Sequence, residues 1–262
     1  MNKPRDVAAL KAKHVIKSTL SYEKTALDKG YTRKFLRVDM GTGDISIRDV
    51  TEEMIDIFIG GKGFDLRLMW DEVNPDTEWD HPENAICISS GPLGGTTSFS
   101  GSGKSLVTSI SPTTGAPIDS NVGGYFGPFL KFCGFDALVV VGLAKEESLL
   151  VIDGASNTIT VETAPEESVD SHLLAEELTE MYAINSDDRD NVSVVSAGRG
   201  AEHTLIGCLN FSWFDWRKGG VRLKQAGRGG IGSVMRKKKV KAIVAHSAPW
   251  RPKWKITVGN NG

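Results

Sequence analysis

The chain has 262 residues, 40% hydrophobic and 24% charged, with a formal net charge of −2. That composition is ordinary for a globular protein and allows one large domain or two small ones. It lacks the basic balance that broad nucleic-acid binding needs. No stretch approaches the roughly 18 apolar residues of a membrane span, and the N-terminus has no apolar run of signal-peptide type.

Cys87, Cys133 and Cys208 lie far apart, with no CxxC or Cys/His spacing, which leaves no iron–sulfur or zinc site in this chain. Cys87 and Cys133 stand in apolar surroundings and read as buried thiols, in a reducing, cytoplasmic compartment. The basic run Arg236–Lys239 reads as a solvated helix end.

Residues 1–30 are rich in Lys and Ala and helix-permissive (Val7 to Lys13, Ser18 to Lys29), with too few apolar positions for a core element. They read as an extension that packs on a partner or is partly ordered. From Tyr31 the domain proper begins. Phe35–Asp39 and Asp44–Arg48 alternate at period two around Met40–Gly43, the pattern of a hairpin. Thr51 with Glu52 and Glu53 opens a helix, broken at Gly60-Gly61-Lys62-Gly63 and resumed from Phe64 to Trp70. A strand follows Asn84, a glycine turn follows Ser90, and a further strand covers Lys104–Ile110. Asp119–Gly127 is another glycine cluster, leading into a short helix to Phe132 and a buried strand at Ala137–Val141.

The order then recurs. Leu149–Asp153 and Thr158–Glu162 make a second hairpin, Pro165-Glu166-Glu167 opens a helix, and Asn191–Ser196 is a strand ending in Ala197-Gly198-Arg199-Gly200. The offset is about 114 residues, from Asp39 to Asp153, which points to an internal duplication with repeats at about 31–142 and 143–247. The expected fold is α+β, with two β-rich subdomains and flanking helices, because strict βαβ alternation is absent. The tail 248–262 holds Trp250, Pro252 and Trp254. Docking onto another surface and a disordered extension both fit it.

A catalytic chain should offer a nucleophile with its base, a carboxylate pair or a metal set. None is evident, and the five histidines are dispersed. What recurs instead is a glycine loop beside a cation or an amide: Lys62, Lys104, Asn121, Arg199, Lys224 and Arg228. The densest is Lys224–Gly232. Glycine admits positive φ and close approach of a ligand, and successive backbone amides at a helix start can attract an anion. A plain helix-entry turn reads equally well from this loop alone.

Several of these stretches together resemble the N-terminal domain of the aldehyde ferredoxin oxidoreductase family, the tungsten- or molybdenum-pterin enzymes. They are Gly60–Gly63, Ser90–Leu93, Ser111–Gly115, Asn121–Gly127, Lys131–Asp136 and Ala226–Met235, in order over about residues 31–247. The resemblance implies a saddle-like base of two subdomains carrying a tungsto- or molybdo-bis-pterin. It assigns cofactor contact to Lys104, Asn121, Gly123, Gly124, Lys224, Gln225, Ala226, Gly227 and Arg228. It assigns a linking Mg²⁺ to Asn121 and Gln225, the latter through its carbonyl, as fits a cation that prefers oxygen. The family usually has Arg where this chain has Lys104 and Lys224, so the charge is kept and the bidentate fork lost.

Family members are well over twice this length, and their cluster cysteines and catalytic residues lie in later domains. The resemblance therefore implies an oxidoreductase part that is inactive as an isolated chain. Its [4Fe–4S] cluster and catalytic residues would come from a partner subunit and its electrons would leave through a ferredoxin-like carrier. A non-catalytic scaffold, a phosphate-ligand module, or a piece of a longer enzyme are the other readings.

Overall fold

A computed structural model describes residues 5–96, 101–165 and 170–247. After a short helix, α1 (Val7–Lys11), come strands β1 (Ile16–Ser21), β2 (Lys34–Asp39) and β3 (Asp44–Asp49) and helices α2 (Glu52–Phe58) and α3 (Lys62–Glu72). Strands β4 (Ile86–Ser89), β5 (Ser105–Ile110) and β6 (Pro117–Val122), helix α4 (Phe126–Phe132) and strand β7 (Ala137–Val141) complete the first half. The second half runs β8 (Ser148–Asp153), β9 (Thr158–Thr163), α5 (Ser171–Tyr182), β10 (Val192–Ser196), β11 (Leu209–Asp215), β12 (Gly220–Ala226), α6 (Ile231–Lys237) and β13 (Val240–His246).

The local chemistry explains the boundaries. The two hairpins turn on matching aspartates: Asp39 Oδ1 accepts from the Gly41 amide at 2.9 Å, and Asp153 Oδ1 from the Ala155 amide at 2.9 Å. Thr51 caps α2 through the Met54 amide at 3.2 Å. Helix α5 is capped by Asp170, whose carboxylate accepts from the Leu173 amide at 2.8 Å. The α5 opening expected at Pro165-Glu166-Glu167 falls partly on 166–169, outside the described residues, as does the tail from Ala248.

Two mixed sheets result, ordered β3-β2-β7-β4-β5-β6 and β1-β9-β8-β13-β10-β11-β12. Leaving β1 aside, the orders correspond strand for strand. The one parallel pair of each sheet also corresponds: β2 with β7, and β8 with β13. This shared plan supports the proposed duplication. The offset shrinks after the hairpins because the first half carries α2 and α3 where the second, among the described residues, carries α5 and a short 3-10 helix at Ser186–Asn191.

The layers follow from side-chain parity along each strand. Ile86 and Ile88 of β4 face a central core with Phe126, Phe129, Ile231 and Val234, while Cys87 between them faces outward beneath Phe64 and Leu68 of α3. Helices α4 and α6 thus lie between the sheets, and each reaches the sheet of the other half: α4 packs on β10, β11 and β13, α6 on β4 and β5. Outside, α3 covers β4, β5 and β7, and α5 covers β10, β11 and β12. Burial on both faces is why these strands read as unbroken apolar runs.

Two expectations are corrected. Residues 16–21, read as part of a helix-permissive extension, form β1 at the edge of the second sheet, paired with β9. Edge pairing needs backbone groups rather than apolar side chains, so sparse hydrophobicity did not betray it. The Tyr22 hydroxyl then donates to the Cys133 carbonyl at 2.6 Å. The basic run is only half a solvated end: Lys237 and Lys239 are exposed, but Arg236 and Lys238 are buried. The Arg236 side chain is 1% exposed, pairing with Glu202 and Glu147. Lys238 lies in the interior and donates to the carbonyls of Pro82 (3.1 Å) and Gly142 (3.3 Å). Burial pushes its ammonium down to about 7, against the nearby charge of Asp39.

Candidate functional site

The edge strands β6 and β12 meet where the two sheets come together. On them Asn121 and Gln225 hold equivalent places. Each is the last residue but one of its strand. Asn121 pairs with Leu106, the second residue of β5, and Gln225 with Asn210, the second of β11. Both side chains are exposed. The next residues, Val122 and Ala226, turn into the central core, and the chain then enters Gly123-Gly124 on one side and Gly227 on the other.

The two glycine segments touch. The Arg228 amide donates to Ser120 Oγ at 3.1 Å. A Cβ built on Gly123 would lie 4.0 Å from Lys224 Cγ, and one on Gly124 3.9 Å from Phe211 Cβ. Lys104 joins them through its neighbours. A Cβ on Gly103 would sit 2.8 Å from the Gly124 carbonyl, and the Gly127 amide donates to Ser105 Oγ at 3.0 Å. The structure therefore brings Lys104, Asn121, Gly123, Gly124, Lys224, Gln225, Ala226, Gly227 and Arg228 to one place. Ala226 is fully buried, so only its backbone can face a ligand.

These glycines divide by what holds them. Gly229 has φ +73°, and a Cβ there would collide with Ile118 at 2.2 Å. Packing inside the chain demands glycine at that position. At Gly227 a Cβ would meet nothing within 4 Å, and φ is not positive. Gly123 is nearly as open, with Lys224 Cγ at 4.0 Å its nearest neighbour. Neither fold nor backbone requires glycine at these two positions, which keep the surface low between cationic side chains.

The electrostatics are those of an anion site. Among the described residues, the Lys104, Asn121 and Arg228 side chains have no partner. The Lys224 ammonium lies 6.0 Å from the centre of the Trp213 ring. Lys62, another expected cation, is committed to an ion pair with Asp119 at 2.5 Å. Two features differ from the sequence reading. Lys224–Ala226 is the end of β12, not loop. The start of α6 is closed, because Gly230 and Ile231 are buried and the Gly232 amide donates to the Gly207 carbonyl at 2.9 Å. Strand ends, not a helix terminus, form the cradle.

Three contributors escaped the sequence reading. Ser120 and Ile118 clamp the second glycine segment from β6, and the alternation Ile118-Ser120-Val122 was their signal. Asn210 accepts from Gln225 Nε2 at 3.2 Å and donates to Ser171 Oγ at 3.2 Å, tying the site to α5. No periodicity marks that chain of contacts.

The chain is thus an α+β domain of two mixed sheets whose edge strands meet at a cationic, glycine-floored edge. Comparison with known proteins gives the family. The profile "Aldehyde ferredoxin oxidoreductase, N-terminal domain" matches residues 35–247, and the chain belongs to that family.

It is 33% identical over 223 residues to the tungsten-containing aldehyde ferredoxin oxidoreductase of Pyrococcus furiosus, covering 84% of this chain and 34% of that protein. It is 34% identical over 217 residues to the Pyrococcus horikoshii protein of the same name, covering 82% and 33%. An aliphatic sulfonate oxidoreductase, WOR-like subunit, of Pyrococcus furiosus is 25% identical over 230 residues, covering 82% and 34%. Among solved structures, the active-site complex BamBC of benzoyl coenzyme A reductase with 1,5-dienoyl-CoA superposes at TM-score 0.71 with 25% identity, covering 84% of this chain and 31% of that one. The chain thus spans about a third of the length of the relatives it matches.

Proposed function

We propose that this chain is the cofactor base of a tungsten–pterin oxidoreductase, with molybdenum as the alternative metal. The observation that carries the reading is the β6/β12 edge. Two glycines that the fold does not require, Gly123 and Gly227, lie among Lys104, Lys224 and Arg228 at equivalent strand ends. Lys104, Lys224 and Arg228 would hold the pterin phosphates, and the open glycines would let the ring system approach the backbone. Oxygen atoms of Asn121 and Gln225 suit a linking Mg²⁺, which takes oxygen ligands and keeps waters.

When bound, the metal supplies two-electron redox chemistry; the protein supplies placement and charge. Among the described residues no group of three His, Cys, Asp or Glu side chains could hold a metal. The reading assigns the [4Fe–4S] cluster and the catalytic residues to a partner polypeptide, as the family resemblance implies. The reaction class proposed from the family is aldehyde to carboxylic acid, with a ferredoxin-like carrier receiving the electrons.

The test is cofactor content of the native complex purified through this chain. Wild type should release pterin on denaturation and contain tungsten or molybdenum, and Lys104→Ala combined with Lys224→Ala should lose most of both. Full cofactor retention in the double variant would overturn the assignment of the lysines. Lysine at both positions favours one second reading, a scaffold that keeps partner binding without cofactor. A wild-type complex with its partner but no pterin would establish that reading.

A further inference from the structure

The link between α2 and α3 contains a backbone conformation that its own side chain disfavours. Ile59 has φ 64° and ψ −45°, and the Gly60 amide donates back to the Phe58 carbonyl at 2.6 Å. This is the γ-turn of rare, strained hand. For a β-branched residue, positive φ is a genuine outlier. Neighbours hold it in place: the Tyr31 hydroxyl donates to the Ile59 carbonyl at 2.7 Å, and the Gly61 amide to the Ser90 carbonyl at 3.3 Å. Yet the Ile59 side chain is 60% exposed. Glycine would relieve the backbone, and a polar residue would suit the water, so the free chain gives no reason for isoleucine.

Ile59 is not alone. Ile57, Leu66, Leu93 and Trp70 are exposed as well, Trp70 at 78%. Leu66 and Trp70 lie one turn apart on one face of α3. Leu93 follows Pro92, whose ring lies against Gly60. The rim is charged, with Glu53, Asp56 and the Arg67–Asp71 pair. Exposed apolar side chains set among charged ones are a feature of protein interfaces. Helix α5, the counterpart over the second sheet, exposes no large hydrophobic side chain.

We infer that the α2–α3 face, with Ile59 and Trp70 as anchors, docks the polypeptide that supplies the remaining two-thirds of the relatives' length. This rests on the proposed function. Two observations name that occupant. The chain covers only about a third of the relatives. The patch also runs into the cofactor edge, since Gly61 abuts Leu106, which pairs with Asn121, and Lys62 pairs with Asp119. A polypeptide closing over the edge reaches the patch in the same movement.

The experiment uses the full chain and its native partner, identified by peptide sequencing as carrying the rest of the family's length. Ile59→Gly should raise the thermal midpoint of the free chain while weakening the partner by about tenfold or more, as loss of an anchor does. Trp70→Ser should weaken the partner similarly without stabilising the chain, and amides 57–70 should gain exchange protection in the complex. Wild-type affinity in both variants would overturn the docking face, as would self-association through it or no partner of that sequence. Pterin and tungsten in the same complex are read separately. Cofactor with unaffected affinity leaves the function standing and removes the face; lost affinity without cofactor does the reverse.

Discussion

The two halves share one strand plan but place their outer layers differently. Over the first sheet, α2 and α3 bury a lone acid, Asp65, whose Oδ1 has no hydrogen-bond partner among the described residues. Burial holds its carboxyl well above the usual carboxylate range, opposed by hydrogen bonding that includes Thr108 at 3.3 Å. In the second half one buried charge is closely paired. His246, at the end of β13, stands between Asp188 at 2.8 Å and Asp153 at 2.9 Å. Burial opposes the charged ring, but the Asp153 hydrogen bond and the two carboxylate charges outweigh it, and the His246 pKa is raised. Burial likewise opposes the Asp153 carboxylate, yet its hydrogen bonds, His246 first, hold it below the usual range. One duplicated plan thus tolerates an unpaired acid under one sheet and a closed clamp beside the other. The strand ends between them carry the proposed cofactor edge.

The strongest way to break the correspondence is at the contact that joins the halves. Gly229→Ala combines a disfavoured φ with a collision against Ile118. It should cost about 3 kcal/mol, read as a fall in the denaturant midpoint. Next is the clamp. Asp188→Asn removes one charged partner of His246 and should cost about 2 kcal/mol near pH 6.

The pH dependence follows from the signs. A histidine with raised folded pKa contributes fully below about pH 6.5 and loses that contribution as pH rises through the folded value. Asp153, with a lowered one, contributes above about pH 4 and loses it in acid. Clamp stability should therefore plateau between these limits and decline on both sides, with the alkaline decline flattened in Asp188→Asn.

In the first half the sign reverses. Asp65 favours its protonated form on folding, so stability falls as pH rises above about 4 toward the folded pKa. Asp65→Asn should stabilise the fold at pH 7 by about 1 kcal/mol, read as a higher thermal midpoint, and the gain should vanish near pH 4. A loss at pH 7 would mean the carboxylate is ionised and partnered. The smallest effect on stability belongs to Gly227→Ala, within about 0.5 kcal/mol because its Cβ would meet only open space. Its expected effect is on pterin content instead. A large stability loss there would mean the glycine serves the fold, as Gly229 does.

Much of this was legible in the residue order. The two hairpins turn on Asp39 and Asp153, Thr51 is a helix cap, and Ala137–Val141 is a buried run; each signal is local chemistry. The glycine segments that the family resemblance singled out do converge in space. What stayed hidden depends on partners remote in sequence. β1 has no apolar signature because it is held by ladder hydrogen bonds to β9. Arg236 and Lys238 look like surface residues until Glu147, Glu202, Pro82 and Gly142 are folded around them. β6 and β12 were masked by the glycines that end them.

Sequence by itself determined the two hairpins, the cap at Thr51, the buried run at Ala137–Val141 and the family, because caps, turns and alternating runs act over a few residues. Only the tertiary structure decided which glycines serve the fold and which are left open. That distinction depends on what lies beside each Cα, and Ile118 and Gly229 become neighbours only when the two sheets close on α4 and α6.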